Sequence, residues 1–317
     1  MPVPFHPAPA AAPCFDPATR TWTLSQYEDV SAALADSALL QGADEKAIEN
    51  ELHSPALRNS VQADLARITE KEWVAQAASS FADVLNQCDD SADLVRDVIH
   101  PWTLRLIVDL NQGREAPELG RIAAQLLFGA KGERRTAAER ELERMIEDKS
   151  LITSKSMFFG LTQTLPSFLS KAWLALLEHP AQAELLLQNP ALIGSATEEL
   201  LRFAGPVHTL YRWASEDVQV GEAAIQRGQS VVLAMDSANY DAERFPEPER
   251  LDLTRATAGH LGLGRGAHAC VGSVLVRMAS RGATPLLLAA RPAICGDVMW
   301  TADRTSQWPS RVPVRLS

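Results

Sequence analysis

The stretch His260-Leu-Gly-Leu-Gly-Arg-Gly-Ala-His-Ala-Cys270-Val-Gly-Ser decides how the chain is interpreted. It places one cysteine among closely spaced glycines, and sequence compatible with a helix follows it. Glycines lack the Cβ atoms that would keep a flat ligand away, and they let backbone N–H groups turn toward the sulfur. The positive end of the following helix favours negative charge at the same atom. Because both features stabilise a thiolate, Cys270 is a candidate iron ligand.

The residues alone allow two other interpretations of this loop. A run of glycines can form a dinucleotide or phosphate loop, but no strand–helix–strand unit surrounds this one and the expected acidic residue is not placed. A lone cysteine is most often a small buried apolar residue. Motifs elsewhere in the chain bear on this choice.

The loop resembles the haem-ligand signature of the cytochrome P450 family, Phe-Gly-x-Gly-x-His-x-Cys-x-Gly, with Leu263 in the position of the aromatic residue. The residues in register with that signature are Gly264, Gly266, His268, Cys270 and Gly272. The resemblance implies that Cys270 ligates haem b and that His268 faces a haem propionate. A thiolate ligand donates electron density that favours cleavage of the O–O bond.

A second motif lies upstream, in Ala196-Thr-Glu-Glu-Leu-Leu-Arg202-Phe. Glu199 and Arg202 are three residues apart and are therefore neighbours on one helical face. A solvated ion pair has the same spacing, but the pair also resembles the family's Glu-x-x-Arg motif. The resemblance implies that Arg250 closes a buried network with this pair and that Arg212 reaches a haem propionate. Because an unpaired buried charge is costly, we expect the network to be structural.

The apolar segment over residues 155–177 resembles the family's central helix over the haem. Counting back from its end places Gly160, Gln163 and Thr164 on the motif Ala/Gly-Gly-x-Asp/Glu-Thr, whose acid and alcohol relay protons during oxygen activation. Gln163 stands at the position of the acid and cannot carry a proton as a carboxylate does. Pro166 cannot donate an N–H to the helix and should kink it or extend a bulge. The alternative is drift in a helix that is no longer under catalytic demand.

Hydrophobic periodicity predicts a mainly α fold with small β-sheets. Residues 21–25 alternate like a strand, and residues 27–35 carry apolar side chains at helical spacing. Three further amphipathic helices are predicted over residues 73–85, 94–110 and 119–127. Pro101 should break the middle one. We expect one domain of cytochrome P450-like fold over residues 1–317, with a Pro-rich N-terminal extension over residues 1–13.

The chain of 317 residues is shorter than typical members of this family. Little sequence separates Tyr27 from His53, where the family inserts a long loop over the haem, and residues 109–160 are too few for the usual pair of roof helices. We therefore expect shortened B–C and F–G regions and an open distal face. Such a face would suit an acyl or aminoacyl group tethered to a carrier protein, or a bulky peptide or polyketide. Equally, a partner protein or a dimer mate could supply the missing roof.

The segment His53-Ser-Pro-Ala-Leu-Arg58 partly resembles the family's His-x-x-Leu-Arg, although its spacing is one residue longer. The resemblance implies that Arg58 contacts a haem propionate. The alternative is a surface helix that begins near Pro55, because proline often opens helices.

Composition excludes several classes of partner. The net charge of −10 and the lack of any basic run longer than Arg134-Arg135 argue against nucleic acid. No stretch reaches the roughly 18 apolar residues of a membrane span, and the start lacks the features of a signal peptide, so we expect a cytoplasmic protein. The four cysteines are too scattered for a disulfide framework or a Cys-x-x-Cys site, and the seven histidines show no paired metal-ligand spacing.

The resemblance implies a bacterial-type soluble haem-thiolate monooxygenase, and our leading hypothesis is that it oxidises a secondary-metabolite intermediate. Thr164 would assist oxygen activation, and electrons would come from a ferredoxin-like redox partner. Gln163 motivates an alternative that keeps the haem but uses peroxide or performs a dehydration or rearrangement. A non-catalytic accessory protein of this fold is a third hypothesis, against which the retained Cys270 argues.

Overall fold

The structure is a computed structural model, and it describes residues 7–41, 59, 69–110, 160–301 and 307–316. At residues 108–110 it describes the main chain only. The chain divides into two compact units. The first unit draws on Met1–Ser54, Glu178–Val271 and Thr301–Trp308. The second draws on Pro55–Leu177, Gly272–Trp300 and Pro309–Ser317. A single domain over the whole chain stays a prediction.

Helices account for most of the regular structure. The α-helices in the described ranges are α1 Tyr27–Ala35, α2 Glu70–Leu85, α3 His100–Leu110, α4 Leu165–Glu178, α5 Pro180–Gln188, α6 Ile193–Phe203, α7 Met235–Asn239 and α8 Ser273–Ala289. Two π-helical turns, Leu94–Ile99 and Gly160–Thr164, lead directly into α3 and α4. None of the helices described has both the length and the apolar character needed to cross a membrane.

The strands are short. They are β1 Cys14–Asp16, β2 Thr21–Leu24, β3 Leu39–Leu40, β4 Ser91–Asp93, β5 Thr209–Ala214, β6 Val218–Val220, β7 Ala223–Ile225, β8 Ser230–Ala234, β9 Ala293–Ile294, β10 Met299–Trp300, β11 Pro309–Arg311 and β12 Pro313–Arg315. The main sheet lies in the first unit and has the order β1-β2-β8-β5-β3, in which only β2 and β8 are parallel. The hairpin β6-β7 completes the first unit.

The second unit contains two small sheets. Strands β4, β12 and β9 form one, and β10 pairs with β11 to form the other. Long helices and short strands together match the expected architecture. The predicted mainly α fold with small β-sheets is therefore confirmed.

Helix α1 packs its apolar face on the main sheet. The shared cluster of fully or nearly fully buried side chains includes Leu24, Tyr27, Val30, Leu34 and Leu233. Alternate residues of a strand point to opposite faces, so β8 presents every second side chain to this cluster. Full burial of one such aliphatic side chain stabilises the folded state by about 2 kcal/mol. This core supports the sheet that carries Arg212 on β5.

An aromatic cluster forms the core of the second unit. Phe81 of α2 contacts Trp102 of α3 and Trp173 of α4 edge to face, with ring centroids 5.0 and 5.4 Å apart. The indole N–H of Trp173 donates to the hydroxyl of Thr284 in α8 at 3.0 Å. Gly282 lets α8 approach α2 closely, because a Cβ atom there would lie 2.8 Å from a backbone carbonyl oxygen of α2. These contacts join the four helices.

The local predictions agree with the structure where apolar periodicity governs. Helix α1 covers the residues predicted for it. Helix α2 begins at Glu70, three residues before the predicted start, because Thr69 and Glu72 form a capping box. The helix predicted over residues 119–127 lies outside the described residues.

Both prolines singled out in the sequence mark a change of helix type. Pro101 is the second residue of α3 and follows one π-helical turn, and Pro166 is the second residue of α4 and follows the other. The predicted break at Pro101 is wrong, because α3 begins at His100 directly after the π-helical turn and runs through Pro101 to Leu110. Proline lacks the N–H that would continue the hydrogen-bond ladder, but in the first turn of a helix that N–H has no helical partner to lose. For Pro166 the sequence predicted a kink or an extended bulge, and the structure shows a widened π-helical turn that ends at Thr164, two residues before the proline.

Candidate functional site

Several backbone hydrogen bonds fold the cysteine loop, defined here as residues 260–271. The N–H of Cys270 donates to the carbonyl oxygen of Leu263 at 2.8 Å. The N–H of Gly264 donates to the carbonyl oxygen of Leu261, also at 2.8 Å. The main chain of the loop therefore contributes to holding its shape.

Two glycines of this loop lie where no side chain would fit. A Cβ atom at Gly262 would be 2.3 Å from the carbonyl oxygen of Leu201 in α6. Gly266 has φ of 72°, in the left-handed region, and a Cβ atom there would be 2.8 Å from the carbonyl oxygen of Leu34 in α1. Close packing against α6 and α1 therefore requires these glycines, whether or not a ligand also requires them.

Cys270 is exposed at the end of the loop, and α8 begins three residues later. A small residue of an apolar core would be buried, so an inert core cysteine does not fit this position. All four cysteines lie within the described ranges, and none of them forms a disulfide. The residues that the structure describes contain no group of three or more His, Cys, Asp or Glu side chains placed to hold a metal ion. Cys270 thus lies at the surface of the loop and not in an apolar core.

Arg212 is a buried cation on β5. Successive strand residues face opposite sides, so Arg212 is 4% exposed while Tyr211 is 56% exposed. The Nη1 of Arg212 donates to the carbonyl oxygen of Tyr211 at 2.9 Å, and its buried Nε has no hydrogen-bond partner among the described residues. Burial lowers the pKa of this guanidinium. Because an unpaired buried donor is costly, the position fits an anionic group that the described residues do not supply.

Glu199 and Arg202 form a bidentate ion pair inside the first unit. The Nε and Nη2 of Arg202 donate to the two carboxylate oxygens of Glu199 at 2.8 and 2.9 Å, and both side chains are fully buried. The Nε of Arg255 adds a third contact, 3.2 Å from Glu199 Oε1. The helical pair seen in the sequence is therefore part of a buried network and not a solvated pair.

The structure corrects the third member of this network. The prediction of Arg250 is wrong, because its side chain is exposed and pairs with Glu247 at 3.3 Å. Glu247 has φ of 50°, and the N–H of Arg250 donates to its carbonyl oxygen at 3.0 Å. This turn directs Arg250 to the solvent. Arg255, five residues later, returns to the interior and takes the place expected for Arg250.

Asn239 connects the network to the cysteine loop. The Nη1 of Arg202 donates to the carbonyl oxygen of Asn239 at 2.8 Å. The Oδ1 of Asn239 accepts from the N–H of Leu261 at 2.7 Å. Sequence reasoning missed Asn239 because its partners lie 37 and 22 residues away along the chain and no local pattern marks it.

The residues predicted for oxygen activation share one π-helical turn of the second unit. Gly160, Gln163 and Thr164 all lie within Gly160–Thr164, immediately before α4. Gln163 and Thr164 are half-buried, and a Cβ atom at Gly160 would meet no described atom within 4 Å. Widened helical turns are frequent at functional sites. The structure thus groups these three residues on a single turn.

The other predicted cofactor residues lie in or beside the cysteine loop, with one exception. Leu263 and Gly264 are half-buried, and His268 ends the 3₁₀ turn of the loop and is also half-buried. Gly272 is the N-cap residue of α8. Arg58 lies outside the described residues.

Comparisons with known proteins identify the family. The family model described as Cytochrome P450 matches residues 186–289, which contain the buried ion network and the cysteine loop. Cytochrome P450 FAS1 of Rhodococcoides fascians is 30% identical over 84% of this chain and 82% of its own length. The chain belongs to the cytochrome P450 family. The resemblance seen in the sequence is therefore confirmed, and the protein is an oxidoreductase of the P450 monooxygenase type.

Other P450 proteins are similar to this chain over most of its length. The 6-deoxyerythronolide B hydroxylase of Saccharopolyspora erythraea is 26% identical over 93% of this chain and 90% of its own length. The crystal structure of P450BioI in complex with hexadec-9Z-enoic acid ligated acyl carrier protein has the same fold, with a TM-score of 0.78, 22% identity, and coverage of 93% of this chain and 92% of that one. Three further relatives are matched over only 38–45% of their own length. The predicted P450 fold is confirmed.

The comparison with the hydroxylase also bears on chain length. That alignment runs over 363 positions, more than the 317 residues of this P450. The relative therefore contains residues that have no counterpart here. Their assignment to the B–C and F–G regions stays a prediction.

Haem with a cysteine thiolate ligand is the cofactor of this family, and the described residues fit it. Cys270 is exposed on a loop rich in glycine, and the buried Nε of Arg212 suits a carboxylate such as a haem propionate. When bound, thiolate-ligated haem supplies the activation of oxygen. The chain itself would supply the cysteine ligand and a cation for the propionate.

Proposed function

We propose that Cys270 is the haem ligand of this P450 and that the enzyme oxidises an intermediate of secondary-metabolite biosynthesis. The observation that carries the proposal is the exposed residue Cys270 at the end of a hydrogen-bonded loop. The N–H of Cys270 donates to the carbonyl oxygen of Leu263 at 2.8 Å, which fixes the main chain that carries the sulfur. The N-terminus of α8, three residues later, favours the thiolate over the thiol.

Arg212 and His268 are the proposed contacts of the haem propionates. Arg212 has a buried donor with no partner in the described part of the chain, and a propionate oxygen would satisfy it. His268 lies on the cysteine loop itself, two residues before the ligand. Arg58 joins them on the ground of the sequence motif alone. The half-buried Leu263 and the glycines at 264 and 272 would line the face of the ring on the cysteine side.

The names of related proteins support the class of substrate. One relative is a hydroxylase named for 6-deoxyerythronolide B, and one solved neighbour holds an acyl chain on a carrier protein. The shortened regions predicted from the sequence would leave an opening through which a tethered chain could enter. The proposed substrate is therefore an acyl or polyketide-type intermediate, free or bound to a carrier protein. Binding tests with the same acyl group, free and carrier-bound, would separate these two forms.

Delivery of electrons and protons completes the proposal. Electrons would come from a ferredoxin-like redox partner, and reduction of the haem by purified ferredoxin would test this directly.

On the oxygen side, Thr164 would hold a hydrogen bond at the reacting group, and Gln163 would orient Thr164 through its amide. An amide donates and accepts hydrogen bonds but does not exchange a proton as a carboxylate does. Water or a polar group of the substrate would therefore supply the proton.

Gln163 favours a second candidate function, in which peroxide replaces dioxygen and reductant. Peroxide brings both protons and both electrons with it, so an acid in the π-helical turn is not required. Turnover should be compared with hydrogen peroxide and with dioxygen plus reductant. Turnover with dioxygen and reductant alone would eliminate this candidate.

The deciding experiment for the main proposal is the spectrum of the reduced carbon monoxide complex. The unsubstituted protein should give the spectrum of a thiolate-ligated haem, and Cys270→Ser should lose it. Cys295→Ser is the matched control, because Cys295 is also exposed but lies outside the cysteine loop. Retention of the thiolate-type spectrum by Cys270→Ser would refute the assignment.

A further inference from the structure

Glu198 and His260 form a hydrogen-bonded pair that none of the sequence motifs uses. The Nε2 of His260 lies 3.1 Å from the Oε2 of Glu198. The imidazole is 4% exposed and the carboxylate is 25% exposed. Glu198 directly precedes Glu199 on α6, so two successive carboxylates of one helix serve two different sets of contacts. Glu199 closes the ion network, and Glu198 holds the first residue of the cysteine loop.

The main chain determines which nitrogen of His260 carries the proton. The N–H of Gly262 donates to Nδ1 of His260 at 3.1 Å, so Nδ1 is an acceptor. A neutral imidazole with an unprotonated Nδ1 carries its proton on Nε2. Nε2–H therefore donates to Glu198. The carboxylate orients the ring, and the ring in turn orients the N–H of Gly262.

Gly262 links the orientation of His260 to the position of Cys270. A Cβ atom at Gly262 would be 2.3 Å from the carbonyl oxygen of Leu201, so the loop lies directly against α6 at this residue. The carbonyl oxygen of the next residue, Leu263, accepts the N–H of Cys270 at 2.8 Å. A displacement of Gly262 would therefore move the acceptor that holds Cys270.

We propose that His260, held by Glu198, is a positioning residue that keeps the Cys270 sulfur aligned for ligation of the haem iron. This inference rests on the proposed function, in which Cys270 is that ligand. Adjacent backbone N–H groups of the loop are each held by a side chain: Asn239 accepts from Leu261, and His260 accepts from Gly262. The second of these side chains is itself fixed by a charged partner, and hydrogen bonds to ionised groups are the stronger kind.

Three variants separate the two hydrogen bonds of His260. His260→Leu removes both. His260→Asn keeps an acceptor for the N–H two residues ahead, as asparagine does in local turns, and loses the contact with Glu198. Glu198→Gln keeps an acceptor for Nε2–H but removes the charge. Glu216→Gln is the control, because Glu216 is an exposed carboxylate outside α6 and the cysteine loop.

Two properties of the haem-loaded protein should be measured: the rate at which the thiolate-type spectrum of the reduced carbon monoxide complex decays, and the reduction potential of the haem. The decay in His260→Leu should be about tenfold faster, since a hydrogen bond to a charged group is worth about one factor of ten or more. His260→Asn and Glu198→Gln should give intermediate rates. Glu216→Gln should match the unsubstituted protein.

An unchanged decay and potential in His260→Leu would overturn the proposal, whatever happens to the stability of the apoprotein. If His260→Leu does not fold, the proposal is tested with His260→Asn and Glu198→Gln. A thiolate-type spectrum that decays at the normal rate in both variants would overturn it. Failure of the proposed function is distinct, because the unsubstituted protein itself would then show no thiolate-type spectrum. A shift of the potential with normal thermal unfolding in Glu198→Gln would support positioning over a purely structural role.

Discussion

The carbonyl oxygen of Leu201 lies where a side chain at Gly262 would begin. The distance from that oxygen to a Cβ atom at Gly262 would be 2.3 Å, and the obstacle is main chain that cannot rotate away. Leu201 is on the same helix as Glu199 and Arg202, so movement of the helix would disturb the buried ion network. Packing therefore requires glycine at this point of the cysteine loop, independently of any contact with haem.

The Gly262→Ala variant should consequently be less stable. Overpacking of this kind costs about 1–3 kcal/mol, and the strain falls on the residue beside the acceptor of the Cys270 N–H. We expect a lower midpoint of urea unfolding and a smaller fraction of bound haem. Gly160→Ala is the control for stability, because a Cβ atom there would meet no described atom within 4 Å. Equal midpoints for the two variants would contradict the packing argument.

Arg255 and Arg250 should differ sharply in their effect on stability. Arg255→Gln removes a cation from a carboxylate that is fully buried, and breaking a buried pair costs up to about 3–5 kcal/mol. Glu199 keeps its bidentate partner Arg202, so we expect about 2 kcal/mol. Arg250→Gln breaks an exposed pair and should cost less than about 0.5 kcal/mol. Chemical denaturation of both variants measures the difference, and a larger effect at Arg250 would restore the assignment based on the family motif.

These two arginines show where sequence reasoning reaches its limit. The pairing of Glu199 with Arg202 follows from helical spacing, because both residues belong to one helix, whereas its burial was implied by the resemblance to the family motif. Whether Arg250 or Arg255 contacts Glu199 depends on a turn at Glu247. The positive φ of Glu247 is not predicted by any residue pattern. Both arginines lie in the same short, charged segment, and only the path of the main chain separates them.

A similar division holds for the cysteine loop and the helices. The glycines and the cysteine are recognisable because they are close together in sequence. The side chains that hold the loop are not, since Glu198 lies 62 residues from His260 and Asn239 lies 22 residues from Leu261. Helix α1 was predictable from apolar spacing, whereas the start of α2 depends on the polar cap at Thr69. Polar contacts between residues far apart in the chain therefore cannot be predicted from local sequence patterns.

Replacement of Arg212 should separate the stability of the apoprotein from haem binding. The buried guanidinium has an unpartnered Nε within the described part of the chain, and desolvation lowers its pKa. Arg212→Met fills a similar volume without a charge, so the apoprotein should be more stable by about 1–2 kcal/mol. The same variant should lose haem several-fold faster, because no cation would meet the propionate. Apoprotein unfolding and haem transfer to an acceptor protein measure the two effects, and parallel losses in both would contradict the proposed role.

His100 should make the folded state sensitive to mild acid. Its side chain is 5% exposed at the start of α3, and burial lowers its pKa from 6.5 to about 4, with Asp93 opposing the shift. Between these two values the unfolded chain takes up a proton that the folded chain does not. Stability is therefore lost as the pH falls from 6.5 toward 4, by about 3 kcal/mol in total.

The His100→Gln variant isolates this contribution, because glutamine does not titrate. Urea unfolding of both proteins should be followed at several pH values from neutral to mildly acidic. The unfolding free energy of the unsubstituted protein, relative to that of the variant, should be constant above pH 6.5 and should fall steadily below it. A difference that stays constant down to pH 4 would show that buried His100 accepts its proton as readily as it does in the unfolded chain.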